Sequence, residues 1–142
     1  MKSLEIYLTF NGNCAEAFEF YASVFGGEII MMNKFSEMPP NPEFPVPEDQ
    51  MDNVMHVTMQ LKPGVILMGS DNGGREANVG DNFSISINAD TREEVDSLFA
   101  ALSDGGEPQM PPSEMFWGSY FGTCRDKFNI NWMFSFDVNN PG

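Results

Sequence analysis

His56 is the only histidine in the 142 residues. It lies in the run Val54-Met55-His56-Val57-Thr58-Met59-Gln60-Leu61, whose alternation reads as a strand with Val54, His56, Thr58 and Gln60 on the more polar face. An imidazole titrates close to neutrality, so His56 is a candidate general base or a group that orients a ligand oxygen. The competing role is a histidine satisfied by its threonine or glutamine neighbour. Trp117, Tyr120, Phe121 and Trp132 form a second group. Such rings either stack on a planar or apolar guest or pack a sheet against a helix. Cys14 and Cys124 are the only cysteines and lack C-x-x-C spacing, so they suggest neither zinc nor a disulfide framework and read as reduced thiols. Cys14 opens a helix, where the dipole would lower a thiol pKa. It also fits that helix's apolar stripe, with no base near it in sequence. Glu114, Asp126 and Lys127 stand at strand ends or turns, where charge is usually solvated.

The elements that position these residues repeat. Leu4, Ile6, Leu8 and Phe10 alternate with polar neighbours as a strand, Asn11-Gly12-Asn13 turns the chain and offers an N-cap, and Cys14, Ala17, Phe18, Tyr21, Val24 and Phe25 form one helical stripe ending at Gly26-Gly27. Three further strands are expected over 28–35, 53–61 and 65–69. The pattern then restarts with Phe83, Ile85 and Ile87, a capping box of Thr91 and Glu94, and the stripe Val95, Leu98, Phe99 and Leu102. At an offset of about 79 residues Ile6 meets Ile85, Leu8 meets Ile87, and Gly26-Gly27-Glu28 meets Gly105-Gly106-Glu107 without a gap. Strands over 107–114, 117–124 and 130–136 complete a second β-α-β-β-β unit. The expected units span 4–70 and 82–136 within a single domain, 1–142. Two segments fall outside the repeat: a proline-rich stretch, 36–50, that cannot join a ladder and reads as a loop or flap, and a glycine-containing linker, 71–81.

Composition narrows the partners. Thirteen Phe and eleven Met suit a lined cavity as well as a core. A net charge of -14 repels a phosphate backbone or an anionic bilayer, which argues against nucleic acid and membrane. With neither a signal peptide nor a membrane span in the sequence, the expected location is cytoplasmic.

The strings Tyr7-Leu8-Thr9-Phe10-Asn11-Gly12-Asn13-Cys14-Ala15-Glu16-Ala17, Phe20-Tyr21 and Phe25-Gly26-Gly27-Glu28 carry a family resemblance. So do Phe116-Trp117-Gly118, Phe121-Gly122, Asp126-Lys127-Phe128 and Trp132 in the second half. From Leu4 to Phe136 the chain resembles the vicinal-oxygen-chelate superfamily of glyoxalase I, bleomycin-resistance proteins and extradiol dioxygenases, and within it the PhnB-like branch. The resemblance implies an α+β fold whose two units form a curved, mostly antiparallel eight-stranded sheet cup with helices outside, and pairing into a homodimer. Some members of the branch bear a ubiquinone-methyltransferase label, yet no methyl-donor motif such as a glycine-rich loop after a parallel strand is visible.

Metal-using members of the superfamily hold their ion with four His or Glu ligands. Carried over by position, these fall at Ile6, His56, Ile85 or a neighbouring serine, and Trp132, with Glu5, Ser84 or Ser86 brought in by a one-residue slip. One imidazole among apolar companions cannot hold a divalent ion against water, so neither metal nor other cofactor is expected. The expected function is binding of a small, largely apolar or aromatic molecule in the cup, between His56 and Trp117, Tyr120, Phe121 and Trp132, with the proline-rich loop over the mouth. The alternatives are a glyoxalase-type lyase or isomerase using His56, metal-assisted or not, and a domain filled by its own side chains that acts through assembly.

Overall fold

The computed structural model describes residues 1–139, which divide into two compact units: Met1–Asn78 and a second beginning at Val79. The first contains β1 (Ile6–Phe10), α1 (Cys14–Phe25), β2 (Glu28–Lys34), β3 (Val54–Lys62) and β4 (Val65–Asp71). The second contains β5 (Ile85–Asn88), α2 (Arg92–Ser103), β6 (Glu107–Glu114), β7 (Ser119–Arg125) and β8 (Asn131–Asp137). The α+β grammar of the repeat is present in both. The eight strands form two four-stranded sheets, ordered β1-β4-β3-β2 and β5-β8-β7-β6. Within each sheet the outer pair, β1 with β4 or β5 with β8, is parallel and the other pairs are antiparallel.

Each helix covers one face of its own sheet. Leu8, Gly69 and Val57 are register partners in the first unit, so their positions share a face. Phe18 of α1 lies over that row, because a Cβ added to Gly69 would come within 2.8 Å of its ring. Phe18 also meets Phe10 edge-on at 6.1 Å. In the second unit Ile85, Trp132 and Cys124 are register partners, all buried. β6 carries Pro108, Pro111 and Pro112 because it is an edge strand, and its register shifts fall among these prolines.

Several boundaries differ from the sequence reading. β4 runs on through Ser70 to Asp71, residues assigned to strand end and linker on composition. Trp117 lies before β7, in the turn that Gly118 closes by donating its N–H to the Met115 carbonyl. Asn13 makes no side-chain cap on α1; a carboxylate from β4 does that work, as described below. Thr91 does cap α2, accepting the Glu94 N–H at 3.0 Å, while the Glu94 carboxylate accepts the Asp90 N–H. No helix among the described residues is long and apolar enough to cross a membrane.

Candidate functional site

On the face of the first sheet turned away from α1, register places Tyr7, Met68, Thr58 and Met31 in one row. Thr9 and Ser70 pair in the next row, where Asn33 pairs with His56. The half-buried His56 ring shares a 2.8 Å hydrogen bond between Nε2 and the Thr58 hydroxyl. The Tyr7 hydroxyl lies 3.5 Å from Nδ1, with ring centroids 5.8 Å apart. A proton on Nε2 satisfies both contacts, since that nitrogen then donates to Thr58 and Nδ1 accepts from Tyr7. The long Tyr7 contact leaves Nδ1 the nitrogen open to a ligand proton. Among the described residues no carboxylate bonds to the ring, so it is not oriented as a carboxylate orients the histidine of a hydrolase triad.

The second sheet repeats the arrangement. Ser86, Met133, Thr123 and Met110 form the row equivalent to Tyr7, Met68, Thr58 and Met31. Because Val57 and Gly122 hold equivalent register places, His56 corresponds to Phe121. Phe121 packs against Trp117 at 5.8 Å, and Trp117 against Phe116 at 5.0 Å, both edge-on. Phe116 is 97% and Trp117 56% exposed.

Tyr120 and Trp132 are different. Neighbours on a strand point to opposite faces, so Tyr120 and the Trp132–Cys124 pair face α2, on the side opposite Phe121. The Tyr120 hydroxyl donates to Asp96 of α2 at 2.6 Å, with Arg92 over its ring. Its own pKa is raised by that bond to Asp96. Trp132 is 1% exposed, donates its indole N–H to Asp126 Oδ2 at 2.8 Å, and occupies the place that buried Leu67 holds in the first unit. Both therefore face α2, whereas His56 and Phe121 lie on the faces of their sheets opposite the helices.

The same parity bears on the metal positions. Within the first unit Ile6 belongs to the helix-facing row, opposite in face to His56, and within the second Ile85 and Trp132 belong to the helix-facing row. Around His56 in the first unit the helix-free face carries Tyr7, Thr9, Asn33, Thr58 and Ser70, neutral groups beside one imidazole and a donor set that does not fit a divalent cation. No group of three or more His, Cys, Asp or Glu suited to a metal is found among the described residues.

Two buried carboxylates organise the surroundings. Asp71, 4% exposed, accepts the Gly12 and Cys14 N–H groups on Oδ1 at 2.9 and 3.0 Å and the Val54 N–H on Oδ2 at 2.9 Å. It thereby fastens the start of α1 and the start of β3 to the end of β4. Asp126 accepts from Phe128 N–H, Ile130 N–H and the Trp132 indole. Neither is a solvated charge. Burial, with Asp71 adding to it, pushes the Cys14 thiol up to about 12, the reverse of the helix-dipole expectation, and burial raises Cys124 to about 11.

Sequence reasoning missed Tyr7, Asp71 and the proline-rich loop's partners as contributors. Tyr7 could have been found, because it alternates with Leu8 in β1. Asp71 had one signal, an acid directly after an apolar strand.

Two repeated strand–helix–strands units, each leaving one methionine- and hydroxyl-lined sheet face free of its helix, define a glyoxalase-like α+β protein. A glyoxalase/bleomycin resistance protein/dioxygenase domain from Frankia sp. EAN1pec shares this fold at TM-score 0.64 and 13% identity, over 95% of this chain and 96% of that one. The chain belongs to the family described as 3-demethylubiquinone-9 3-methyltransferase, whose sequence profile matches residues 2–135. It is similar to protein PA1353 from Pseudomonas aeruginosa, 38% identical with TM-score 0.80 over 93% of this chain and 96% of that one. It is also similar to a PhnB protein from Bacillus cereus, 26% identical with TM-score 0.77 over 94% and 98% of the two chains.

Proposed function

We propose that the protein binds a small, largely apolar or aromatic molecule against the helix-free sheet faces and does so without a resident divalent metal. The observation that carries this is the repeated row of two methionines about a threonine: Met68, Thr58 and Met31 in one unit, Met133, Thr123 and Met110 in the other. Methionine adapts to irregular apolar guests, and the interleaved hydroxyls supply the few polar groups that orient one. His56 and Phe121, at equivalent places, add an imidazole and an aromatic wall. The methyl transfer in the family's description finds no support at the β1–α1 turn, the natural seat for a donor's anionic end. Its Gly12 and Cys14 amides are already bound by Asp71.

The test is a screen of neutral aromatic and aliphatic compounds read by tryptophan fluorescence, repeated on His56→Ala, Trp117→Ala and Phe121→Ala. Losing an aromatic wall should weaken a hit by about 1–3 kcal/mol. Hits that bind all three folded variants as tightly as the parent would show that the sheet faces are not the site.

A further inference from the structure

Within the first unit the proline-rich loop and the segment after β4 line a half-open cavity of about 680 Å³, well within the range of small-molecule sites. Its apolar wall is made by Phe35, Met38, Phe44 and Val46, with Met55 of β3, and Ser70 through Arg75 complete the lining. The loop is held at both ends. Phe35 and Ser36 donate their N–H groups to the Asn53 and Met51 carbonyls at 3.1 and 2.9 Å. At Gly73 and Gly74, with φ of +65° and +103°, an added Cβ would lie 3.1 Å from the Phe35 ring and 2.8 Å from Pro47 Cγ. These two glycines let the loop come close, and they explain why the linker carries them. The cavity is therefore built by specific packing.

Its polar groups are few and unequal. Both Asp71 oxygens are taken by backbone N–H groups. Glu43 is exposed on the loop. Arg75 is exposed at the rim, and among the described residues its guanidinium makes no hydrogen bond or ion pair, whereas Arg92 is paired with Glu114. In a chain with twenty-one acids and seven bases, a cation left without an internal acid beside an apolar cavity is placed for an acid brought from outside.

We infer that this cavity binds a small aromatic or aliphatic monocarboxylate, its hydrocarbon against Phe35, Met38, Phe44 and Val46 and its carboxylate on the Arg75 guanidinium. The planar fork of arginine matches a carboxylate two bonds at a time, and Glu43 on the same lining disfavours a second negative charge. The inference rests on the binding reading above and adds to it a ligand class and a place that adjoins the His56 face at Ser70.

Isothermal titration of 2-naphthoate and its neutral counterpart 2-naphthamide tests it on the full chain, with Arg75→Gln, Phe44→Ala and His56→Ala, each checked for folding by circular dichroism. Phe44 and Arg75 are exposed, so both variants should fold. The expected result is that naphthoate binds at least roughly tenfold tighter than the amide. Arg75→Gln abolishes that preference, Phe44→Ala weakens naphthoate binding, and His56→Ala leaves the preference intact. Equal binding of the two compounds, preference retained in Arg75→Gln, or no binding of either overturns the inference. Loss in His56→Ala without loss in Arg75→Gln also overturns it, while leaving the sheet-face reading standing. The neutral-compound screen judges that reading separately.

Discussion

Asp71→Ala should be among the most damaging single changes in the first unit. The carboxylate accepts three backbone N–H groups from two separate places in the chain, the β1–α1 turn and the start of β3. Hydrogen bonds to a charged group contribute about 1.5–3 kcal/mol each, and orphaned buried donors add their desolvation cost. Allowing for relaxation and water entry at Gly12, the expected loss is about 3–5 kcal/mol, a large part of a typical domain's stability. Asp71→Asn should cost less, about 1–3 kcal/mol, because the amide oxygen still accepts while its NH₂ turns a donor toward one N–H. Thr91→Ala, which removes a true cap from α2, should cost about 1 kcal/mol. Asn13→Ala should stay within about 0.5 kcal/mol, since its side chain caps nothing. Urea unfolding followed by circular dichroism gives the four values, with the slope inspected for separate melting of the units. An Asp71→Ala loss below about 1 kcal/mol, or an Asn13→Ala loss larger than that of Asp71→Ala, would refute the assignment of α1's anchor.

Three other outcomes are expected. Both thiols have pKa values raised above the ordinary cysteine value of 9.0, to about 12 and about 11, so at pH 8 neither should react with a thiol reagent until the protein is unfolded. Because the unfolded thiols ionise first, the stability they hold is full below about pH 9 and falls as pH rises toward 11–12; prompt labelling of the native protein, or constant stability across that window, would contradict it. Elemental analysis of the purified protein should find zinc, nickel, manganese and iron well below one per chain, and about one of any of them would require donors from outside the sheet faces described. Sedimentation at micromolar concentration should give twice the chain mass of 15.9 kDa at physiological salt, and only the single mass would count against a homodimer.

The duplicated fold was legible because apolar periodicity and paired glycines are local signals. Ile6 and Ile85, or Gly26-Gly27 and Gly105-Gly106, announce the same element twice without knowledge of any contact. Position in a row was harder to read. Trp132 is grouped with Phe121 as an aromatic of the last two strands, but which face a residue takes depends on the register of β8 against β7, and no residue type encodes that register. The positions Ile6, His56, Ile85 and Trp132 came instead from the family resemblance, which carries no register. Pairing of Leu8, Gly69 and Val57 in one row puts His56 on the other face.

Least legible was anything made by segments far apart in the chain. Asp71 lies 57 residues from the Cys14 amide it holds, and at that separation an acid following a strand looks like ordinary linker charge. The proline-rich loop and Gly73-Gly74 were each read correctly as irregular chain, on composition alone. Only their packing shows that the glycines exist to admit Phe35 and Pro47. That contact turns two unremarkable segments into the walls of a cavity and gives Arg75, a surface residue by every sequence criterion, a role. A ligand that prefers this cavity would therefore be sensitive to Gly74→Val, which forces Pro47 outward, while the His56 face, built wholly from strand register, would not respond.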